Sequence, residues 1–262
     1  MQTLSASNLS MPSLSTRDLS IRFGGHVAVN QVSADFYPGT LTVIVGPNGA
    51  GKTTYFNLIS GQLSASAGSV HLADKDITAL SAAQRTRAGI GRAFQLTNLF
   101  PHLSVIENVR LAVQSCAGIG LNIFSLWSSH KTLIERAEYY LQRVALADRR
   151  QDKVIHLSHG DKRKLEVALL LALEPEVMMF DEPTAGMSVD EVPVVLKLIQ
   201  EVKSDSHKTI LLVEHKMDVV RSLADRIIVL HNGTLVADGD PMEVMASAIV
   251  QEAYLGTGVS HA

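Results

Sequence analysis

The sequence predicts an α/β fold in which helices cover a mostly parallel β-sheet. Three apolar runs have the length of buried strands, at residues 41–45, 177–180 and 209–213. Between them, apolar residues recur with helical spacing, as they do over residues 165–172. Strands that alternate with helices pair in parallel through crossover connections. We expect a β-rich start, a glycine loop with a helix, a helical stretch from about residue 97 to 150, and then alternation to about residue 240.

The composition favours a single α/β unit of the cell interior. A chain of 262 residues can bury a full core, and α/β domains of this size are common. The net charge of −3 and the pI near 6.4 lack the basic footprint of nucleic-acid binding. The single cysteine, Cys116, excludes an internal disulfide. The richest apolar stretch, residues 167–180, is interrupted by charged residues and proline, so no spanning helix is predicted.

A glycine-rich loop after the first buried strand predicts a nucleoside triphosphate site. Backbone N–H groups of such a loop can turn toward phosphates without Cβ clashes, and the following helix adds its positive end. We expect Lys52 to act as a point charge on the outer phosphates and the Thr53 hydroxyl to bind magnesium. The predicted cofactors are therefore ATP and Mg²⁺. The residues predicted to bind the nucleotide here are Gly46, Pro47, Asn48, Gly49, Ala50, Gly51, Lys52, Thr53 and Thr54.

A second motif is an apolar strand that ends in two carboxylates, Asp181 and Glu182. A strand inside a parallel sheet delivers its last residues to the carboxyl edge, where ligands of open α/β folds bind. Asp181 is predicted to reach the magnesium ion. Glu182 points the other way along the pleat and is predicted to polarise the attacking water. Taken alone, the acidic pair could also be helix N-terminal charge, and the glycine loop could be a turn before a surface lysine.

The third motif, Leu-Ser-His-Gly-Asp at residues 157–161, precedes a helix and resembles the Leu-Ser-Gly-Gly-Gln signature of ATP-binding-cassette (ABC) ATPases. The resemblance extends from Leu19 to Gly256. It implies a P-loop nucleoside triphosphate hydrolase fold with a β-rich amino-terminal subdomain and an inserted helical subdomain. It also implies that Ser158 and Gly160 contact the γ-phosphate of ATP held by a second subunit. From the residues alone, Ser158 could simply cap a helix.

The same resemblance assigns three further residues. Phe23 is similar to the aromatic residue that stacks on adenine, although it could be a core residue. Gln95 is similar to the glutamine that touches magnesium or its water and begins the segment facing the membrane partner. His215, after the strand at residues 209–213, resembles the switch histidine that senses the γ-phosphate. The implied catalytic residues are thus Glu182, His215 and Gln95, and the implied metal ligands are Thr53, Gln95 and Asp181.

Three positions depart from the family pattern. His159 replaces the first signature glycine, and Asp161 replaces the glutamine, which brings a side chain and a negative charge close to a phosphate site. Basic residues at 162–164 could offset that charge. Ser188 stands where most members have the aspartate that communicates across the dimer. We expect hydrolysis to persist and inter-site coupling to be altered.

Within the family, several runs are similar to the ATPases of branched-chain amino-acid importers, with urea-importer ATPases nearly as similar. They lie at residues 22–25, 28–30, 97–101, 185–187 and 253–256. The resemblance implies a peripheral subunit at the cytoplasmic face of a bacterial inner membrane. Its implied partners are transmembrane permease subunits, a second ATPase subunit in a homo- or heterodimer and, indirectly, a periplasmic solute-binding protein. Two alternatives are a soluble ABC ATPase that acts on nucleic acid or the ribosome, and a non-hydrolysing regulatory cassette.

The predicted domain organisation is a single nucleotide-binding domain over residues 16–256. A helical subdomain is expected at about residues 95–164, inserted between two segments of the core. The Ser-rich residues 1–15 are predicted to be a disordered leader, and residues 257–262 a tail.

Overall fold

The computed structural model describes residues 11–93, 99–117, 131–248 and 250. The strands are β1 (Leu14–Phe23), β2 (His26–Phe36), β3 (Leu41–Val45), β4 (Ala67–Leu72), β5 (Lys75–Asp76), β6 (Ile90–Ala93), β7 (Val177–Asp181), β8 (Thr209–Val213), β9 (Arg226–His231) and β10 (Thr234–Gly239). The helices are α1 (Lys52–Ser60), α2 (Ala82–Ala88), α3 (Val105–Cys116), α4 (Lys131–Arg143), α5 (His159–Ala172), α6 (Val192–Lys203), α7 (Met217–Leu223) and α8 (Pro241–Ala246). Two short 3-10 helices lie at Ala147–Arg149 and Val154–His156. Among these helices, none is long and apolar enough to cross a membrane.

The central sheet has the strand order β10-β9-β3-β8-β7-β6. Its pairs from β9 to β6 are all parallel, and only β10 joins antiparallel at one edge. Parallel strands must be joined by crossover connections, and the helices between β3, β7, β8 and β9 provide them. The predicted α/β class with a mostly parallel sheet is confirmed.

Both faces of this sheet are covered, which explains the unbroken apolar runs in its strands. Every residue of β3, β7 and β8 is buried. Alternate residues point to opposite sides, so Val43 belongs to the core that includes side chains of α3 to α7, whereas Ile44 belongs to the core that includes side chains of β1 and β2. Each such side chain contributes roughly 1.5–3 kcal/mol through removal from water.

The second sheet is antiparallel, with the order β2-β1-β4-β5. It packs on the central sheet through a core that contains the α1 side chains Tyr55 and Phe56. The Tyr55 hydroxyl is fully buried and lies 2.8 Å from the Thr16 Oγ1 atom, so the two form a hydrogen bond that satisfies the buried phenol. The first strand begins at Leu14, whose side chain is buried and which pairs with Phe36. Residues 14 and 15 therefore belong to the sheet and not to the predicted leader.

The described part of the connection between β6 and β7 contains α3, α4, α5 and the two 3-10 helices, and it occupies the region of the predicted helical subdomain. A capping box formed by Ser104 and Glu107 begins α3. The Ser158 side chain accepts a hydrogen bond from the backbone N–H of Asp161 and begins α5. The last of the three helices continues to Ala172, beyond the expected boundary near residue 164.

One carboxylate in α5 is buried in this helical region. The Glu166 side chain is only 7% exposed and is paired with Arg163 at 3.1 Å between Oε2 and Nη1. Burial raises the pKa of Glu166 to about 7, and Arg163 opposes the rise without cancelling it. The native state therefore holds a proton on Glu166 at a pH where the unfolded chain has already released it.

We predict that Glu166→Gln stabilises the protein more at pH 8 than at pH 5. Because the folded pKa is raised from 4.5 to about 7, the penalty from Glu166 accumulates as the pH rises between these values and stays constant above 7. The variant should gain on the order of 2 kcal/mol in unfolding free energy relative to wild type between pH 5 and 8. Urea unfolding at both pH values measures the difference.

The matched control is Glu201→Gln, which removes an exposed ion pair with Arg143 at 2.8 Å. Its effect should stay within about 0.5 kcal/mol at either pH. Equal effects of the Glu166 and Glu201 substitutions at both pH values would contradict the assignment of the buried proton to Glu166.

Candidate active site

The glycine loop joins β3 to α1 and requires glycine at two tightly packed positions. Gly46 has φ 151°, and a Cβ there would overlap the carbonyl oxygen of Leu230. Gly51 has φ 95° and caps α1 in the left-handed region, where a Cβ would lie 2.5 Å from the carbonyl oxygen of Ala28. Backbone carbonyl groups of β2 and β9 therefore pack directly against the loop and restrict its conformation.

Lys52 folds back over this loop. Its Nζ atom donates to the carbonyl oxygens of Gly46 at 2.7 Å and Pro47 at 2.9 Å. Burial lowers the pKa of Lys52, whereas the nearby carboxylates of Glu182 and Asp181 raise it and limit the shift. The ammonium group is thus held between the loop and the acidic pair, where it can act on a phosphate bound by the loop.

The acidic pair lies at the carboxyl end of β7, as predicted. β7 is flanked by β6 and β8, and Asp181 pairs in register with Val213. The Glu182 N–H donates to the Val213 carbonyl oxygen at 2.9 Å, and Glu182 adopts φ 50°. This left-handed conformation is uncommon for a residue with a side chain and often marks functional positions.

Arg92, at the third position of β6, forms a buried ion pair that the sequence analysis did not predict. Its Nη2 atom lies 2.7 Å from the Oδ2 atom of Asp181, and both side chains are 7% exposed. Its Nη1 atom donates to side-chain oxygens of α1 and of the turn after it, at Asn57, Ser60 and Gln62. Burial raises the pKa of Asp181, and Arg92 works against this rise. The guanidinium group therefore fixes the carboxylate against the helix that follows the glycine loop.

The donor set at this edge fits a magnesium ion that is bound mainly through phosphates. The Thr53 hydroxyl and the Asp181 carboxylate are hard oxygen donors, which Mg²⁺ prefers. Within the described ranges, no group of three His, Cys, Asp or Glu side chains could form an all-protein metal site. One or two protein ligands plus substrate oxygens is the usual arrangement for Mg²⁺ at nucleotide sites.

His215 follows β8 and approaches the second carboxylate of the pair. Its Nδ1 atom lies 3.6 Å from Oε1 of Glu182, and both side chains are about half exposed. The same Nδ1 atom is 3.6 Å from Oε2 of Glu214, a fully buried carboxylate. The structure thus brings together four predicted residues from three parts of the chain, namely Lys52, Asp181, Glu182 and His215.

The signature segment lies at the start of α5, with Ser158 as the N-cap and Gly160 in the first turn. Asp161 faces its own subunit, because Oδ2 lies 2.6 Å from Arg149 and Oδ1 lies 3.1 Å from Lys164. Burial disfavours its ionised form, but the bonds from Lys164, Ser158 and Arg149 outweigh burial and lower the pKa of Asp161. The charge predicted to disturb a phosphate site is therefore neutralised locally.

The other two departures from the family pattern, His159 and Ser188, lie in two segments that contact each other. The ring of His159 lies against Gly186, where a Cβ would be 2.7 Å from Nε2. Ser188 donates from its backbone N–H and its hydroxyl to Oε2 of Glu191, at 3.1 and 3.0 Å. The Glu191 carboxylate also lies over Gly160, where an added Cβ would overlap both carboxylate oxygens.

The structure describes the predicted adenine-stacking residue, Phe23, but not the predicted magnesium-contacting residue, Gln95. Phe23 is at the end of β1, and its side chain is 49% exposed, as a residue that stacks on a ligand must be. Gln95 lies outside the described residues. The segments predicted at 97–98 and 253–256 also lie outside them.

Arg92 and Glu214 are the two site residues whose contacts the sequence analysis missed. The sequence did contain an indication of these contacts, because each residue is charged and lies at or beside the carboxyl end of a short apolar strand. Charges in such positions are buried only when they are paired.

Comparison with known proteins identifies relatives over almost the whole chain. The protein-family model described as ABC transporter matches residues 29–185. The high-affinity branched-chain amino acid transport ATP-binding protein LivG of Escherichia coli is 37% identical over 253 residues, which are 95% of this chain and 99% of LivG. BraF of Pseudomonas aeruginosa, which has the same description, is 33% identical over 254 residues, 95% of this chain and 99% of BraF.

Solved structures of similar proteins agree with the fold. A nucleotide-free ATP-binding cassette from an ABC transporter has a TM-score of 0.80 and 28% identity, covering 94% of this chain and all of that one. The ADP conformation of MJ1267, an ATP-binding cassette of an ABC transporter, has a TM-score of 0.79 and 29% identity, with the same coverage. The predicted P-loop fold and the predicted family are confirmed. With the glycine loop, the acidic pair and the signature helix in place, this chain belongs to the ABC transporter family as an ATP-binding cassette.

Proposed function

We propose that this chain is the ATP-hydrolysing subunit of a bacterial importer for branched-chain or related amino acids. The observation that supports this most directly is the 37% identity to LivG over 95% of the chain. A relative named for arginine and ornithine transport is 33% identical over 90% of the chain, which is why related amino acids are included. The solute itself would bind to partner subunits, so the residues of this chain do not define it.

The glycine loop and its surroundings would hold ATP. Backbone N–H groups of residues 46–53 and the positive end of α1 would surround the phosphates, with Lys52 on the outer ones. The exposed ring of Phe23 would stack on adenine. Thr53 and Asp181 would hold Mg²⁺, with Gln95 on the ion or its water, and the ion would neutralise charge on the phosphates.

Hydrolysis would proceed by in-line attack of water on the γ-phosphorus. The water oxygen forms the new P–O bond, and the bond to the β,γ-bridging oxygen breaks. Glu182 would orient the water and accept its proton, while His215 would donate a hydrogen bond to the γ-phosphate. The 3.6 Å separation between the two side chains allows both to contact groups around one γ-phosphate.

The working unit would contain two cassettes, because Ser158 and Gly160 would contact ATP held by the second subunit. Arg149 and Lys164 neutralise Asp161. The Glu191 carboxylate, which lies over Gly160, would have to move aside when a phosphate binds at the start of α5. The pair would dock on transmembrane permease subunits at the cytoplasmic face of the inner membrane. A solute-binding protein would deliver the amino acid to the other side.

We predict that Gly46→Ala destroys the phosphate site. The added Cβ would overlap the Leu230 carbonyl, and alanine is strained at φ 151°, so the loop must move. The unfolding free energy should fall by about 2 kcal/mol or more, and titration with a fluorescent ATP analogue should show no saturable binding. Gly25→Ala is the control, because no atom lies within 4 Å of its Cβ. Normal ATP affinity in Gly46→Ala would contradict this role of the loop.

We predict that Glu182→Gln retains ATP binding and lowers turnover by about 10² or more, because the amide cannot accept the proton of the water. Magnesium-dependent phosphate release and ATP-analogue titration measure the two properties separately. His215→Ala should also lower turnover. If the chain forms a homodimer, the activity of the wild-type protein per subunit should rise with protein concentration. Undiminished turnover in Glu182→Gln would remove its assigned role.

The identity of the transported solute can be tested in membrane vesicles that contain this chain and its permease subunits. We expect ATP-dependent uptake of radiolabelled leucine, with urea as the competing candidate and Glu182→Gln vesicles as the control. Urea uptake without leucine uptake would reassign the solute and leave the hydrolytic roles unchanged.

A further inference from the structure

Glu214 has a hydrogen-bonding arrangement that the hydrolytic roles do not explain. Its side chain is fully buried directly after β8, one residue before His215. The Thr184 hydroxyl donates to Oε1 at 2.6 Å, and the His215 backbone N–H donates to Oε2 at 2.9 Å. A buried carboxylate is tolerated only when both oxygens are satisfied, and these two donors satisfy them.

The contacts of Glu214 join two chain segments that leave neighbouring strands. Thr184 is two residues after Glu182 and follows β7, whereas His215 follows β8. Thr184 is itself fully buried, and Lys216 donates from Nζ to its carbonyl oxygen at 3.2 Å. The residues on both sides of His215 therefore fix Thr184 through its side chain and its backbone.

We propose that Glu214 is a positioning residue that sets the distance and orientation between Glu182 and His215. A short hydrogen bond to a charged acceptor has a narrow geometry, so the Thr184 bond fixes the segment that contains Glu182. The bond to the His215 N–H fixes the start of the histidine segment on the same carboxylate. This inference rests on the proposed roles of Glu182 and His215, and it adds that their alignment depends on Thr184 and Glu214.

Three substitutions separate this role from simple packing. Thr184→Val keeps the shape and removes the hydroxyl, whereas Thr184→Ser keeps the hydroxyl and removes a methyl group. Glu214→Gln keeps an acceptor for Thr184 but presents an amide NH₂ group, which cannot accept from the His215 N–H. If the side chain at position 184 contributed only packing, Thr184→Val would reduce activity less than Thr184→Ser.

The first measurement is steady-state ATP hydrolysis together with nucleotide affinity. We expect Thr184→Val and Glu214→Gln to lower kcat by about 10-fold or more, with KM for ATP changed by less than about 3-fold. Thr184→Ser should stay within about 3-fold of wild type in both. In the His215→Ala background, the histidine that Thr184 helps to position is already absent. Thr184→Val should therefore lower kcat by a smaller factor in that background than in the wild-type protein. Wild-type kcat in Thr184→Val, equal losses in Val and Ser, or full additivity with His215→Ala would overturn the proposal.

The second measurement does not depend on catalysis. The His215 ring signal in the NMR spectrum of the nucleotide-free protein can be assigned by its loss in His215→Ala. It should shift in Thr184→Val and Glu214→Gln and remain in place in Thr184→Ser. A signal that is unchanged in all three variants would overturn the positioning role. If the signal shifts as expected while His215→Ala retains full turnover, the catalytic role of His215 fails and the structural link stands.

Discussion

The carboxyl edge of the parallel sheet depends on ion pairs and hydrogen bonds that satisfy the charged groups buried there. Arg92, Asp181, Lys52 and Glu214 all have side chains that are nearly or fully excluded from water. An unpaired buried charge costs several kcal/mol, so each of them constrains its neighbours to a narrow geometry. Asp181 is fixed by Arg92, Lys52 by the loop carbonyls, and Glu214 by Thr184 and the His215 amide.

The apolar sheet behind this edge makes that order possible. β3, β7 and β8 are buried on both faces, and their register brings the glycine loop, the acidic pair and the histidine segment to one level. A close-packed core resists small displacements, because the lost contacts are not regained elsewhere. Arg92 adds a lateral connection, since its guanidinium group bonds to β7 and α1 together. Its Cζ atom also lies 5.5 Å from the centroid of the Phe56 ring, a cation–π contact.

Local sequence predicted the parts of the fold that local chemistry determines. Apolar runs predicted the central strands, and glycine spacing predicted the phosphate loop, because a backbone of this shape excludes side chains. The pairing of Arg92 with Asp181, which are 89 residues apart, and of Thr184 with Glu214, which are 30 apart, depends on strand order. Strand order is a property of the whole chain, so these partners were not visible in either local segment. The start of β1 at Leu14 was missed for a similar reason, because the preceding serine-rich composition obscured a pairing with Phe36.

The altered signature segment illustrates how a departure from a family pattern can be compensated within the same chain. Asp161 adds a negative charge at the start of α5, where a helix would favour an anion even without a ligand. Its two oxygens are bonded to Arg149 and Lys164, so the carboxylate points into its own subunit. His159 packs on Gly186, a glycine with φ 71° where a side chain would collide with the ring. Its φ favours glycine at 186, and the contact with the His159 ring connects the signature segment to the chain that follows Glu182. The same stretch contains Thr184, whose hydroxyl donates to Glu214 at 2.6 Å, so it has contacts both with the signature segment and with the residue that follows β8.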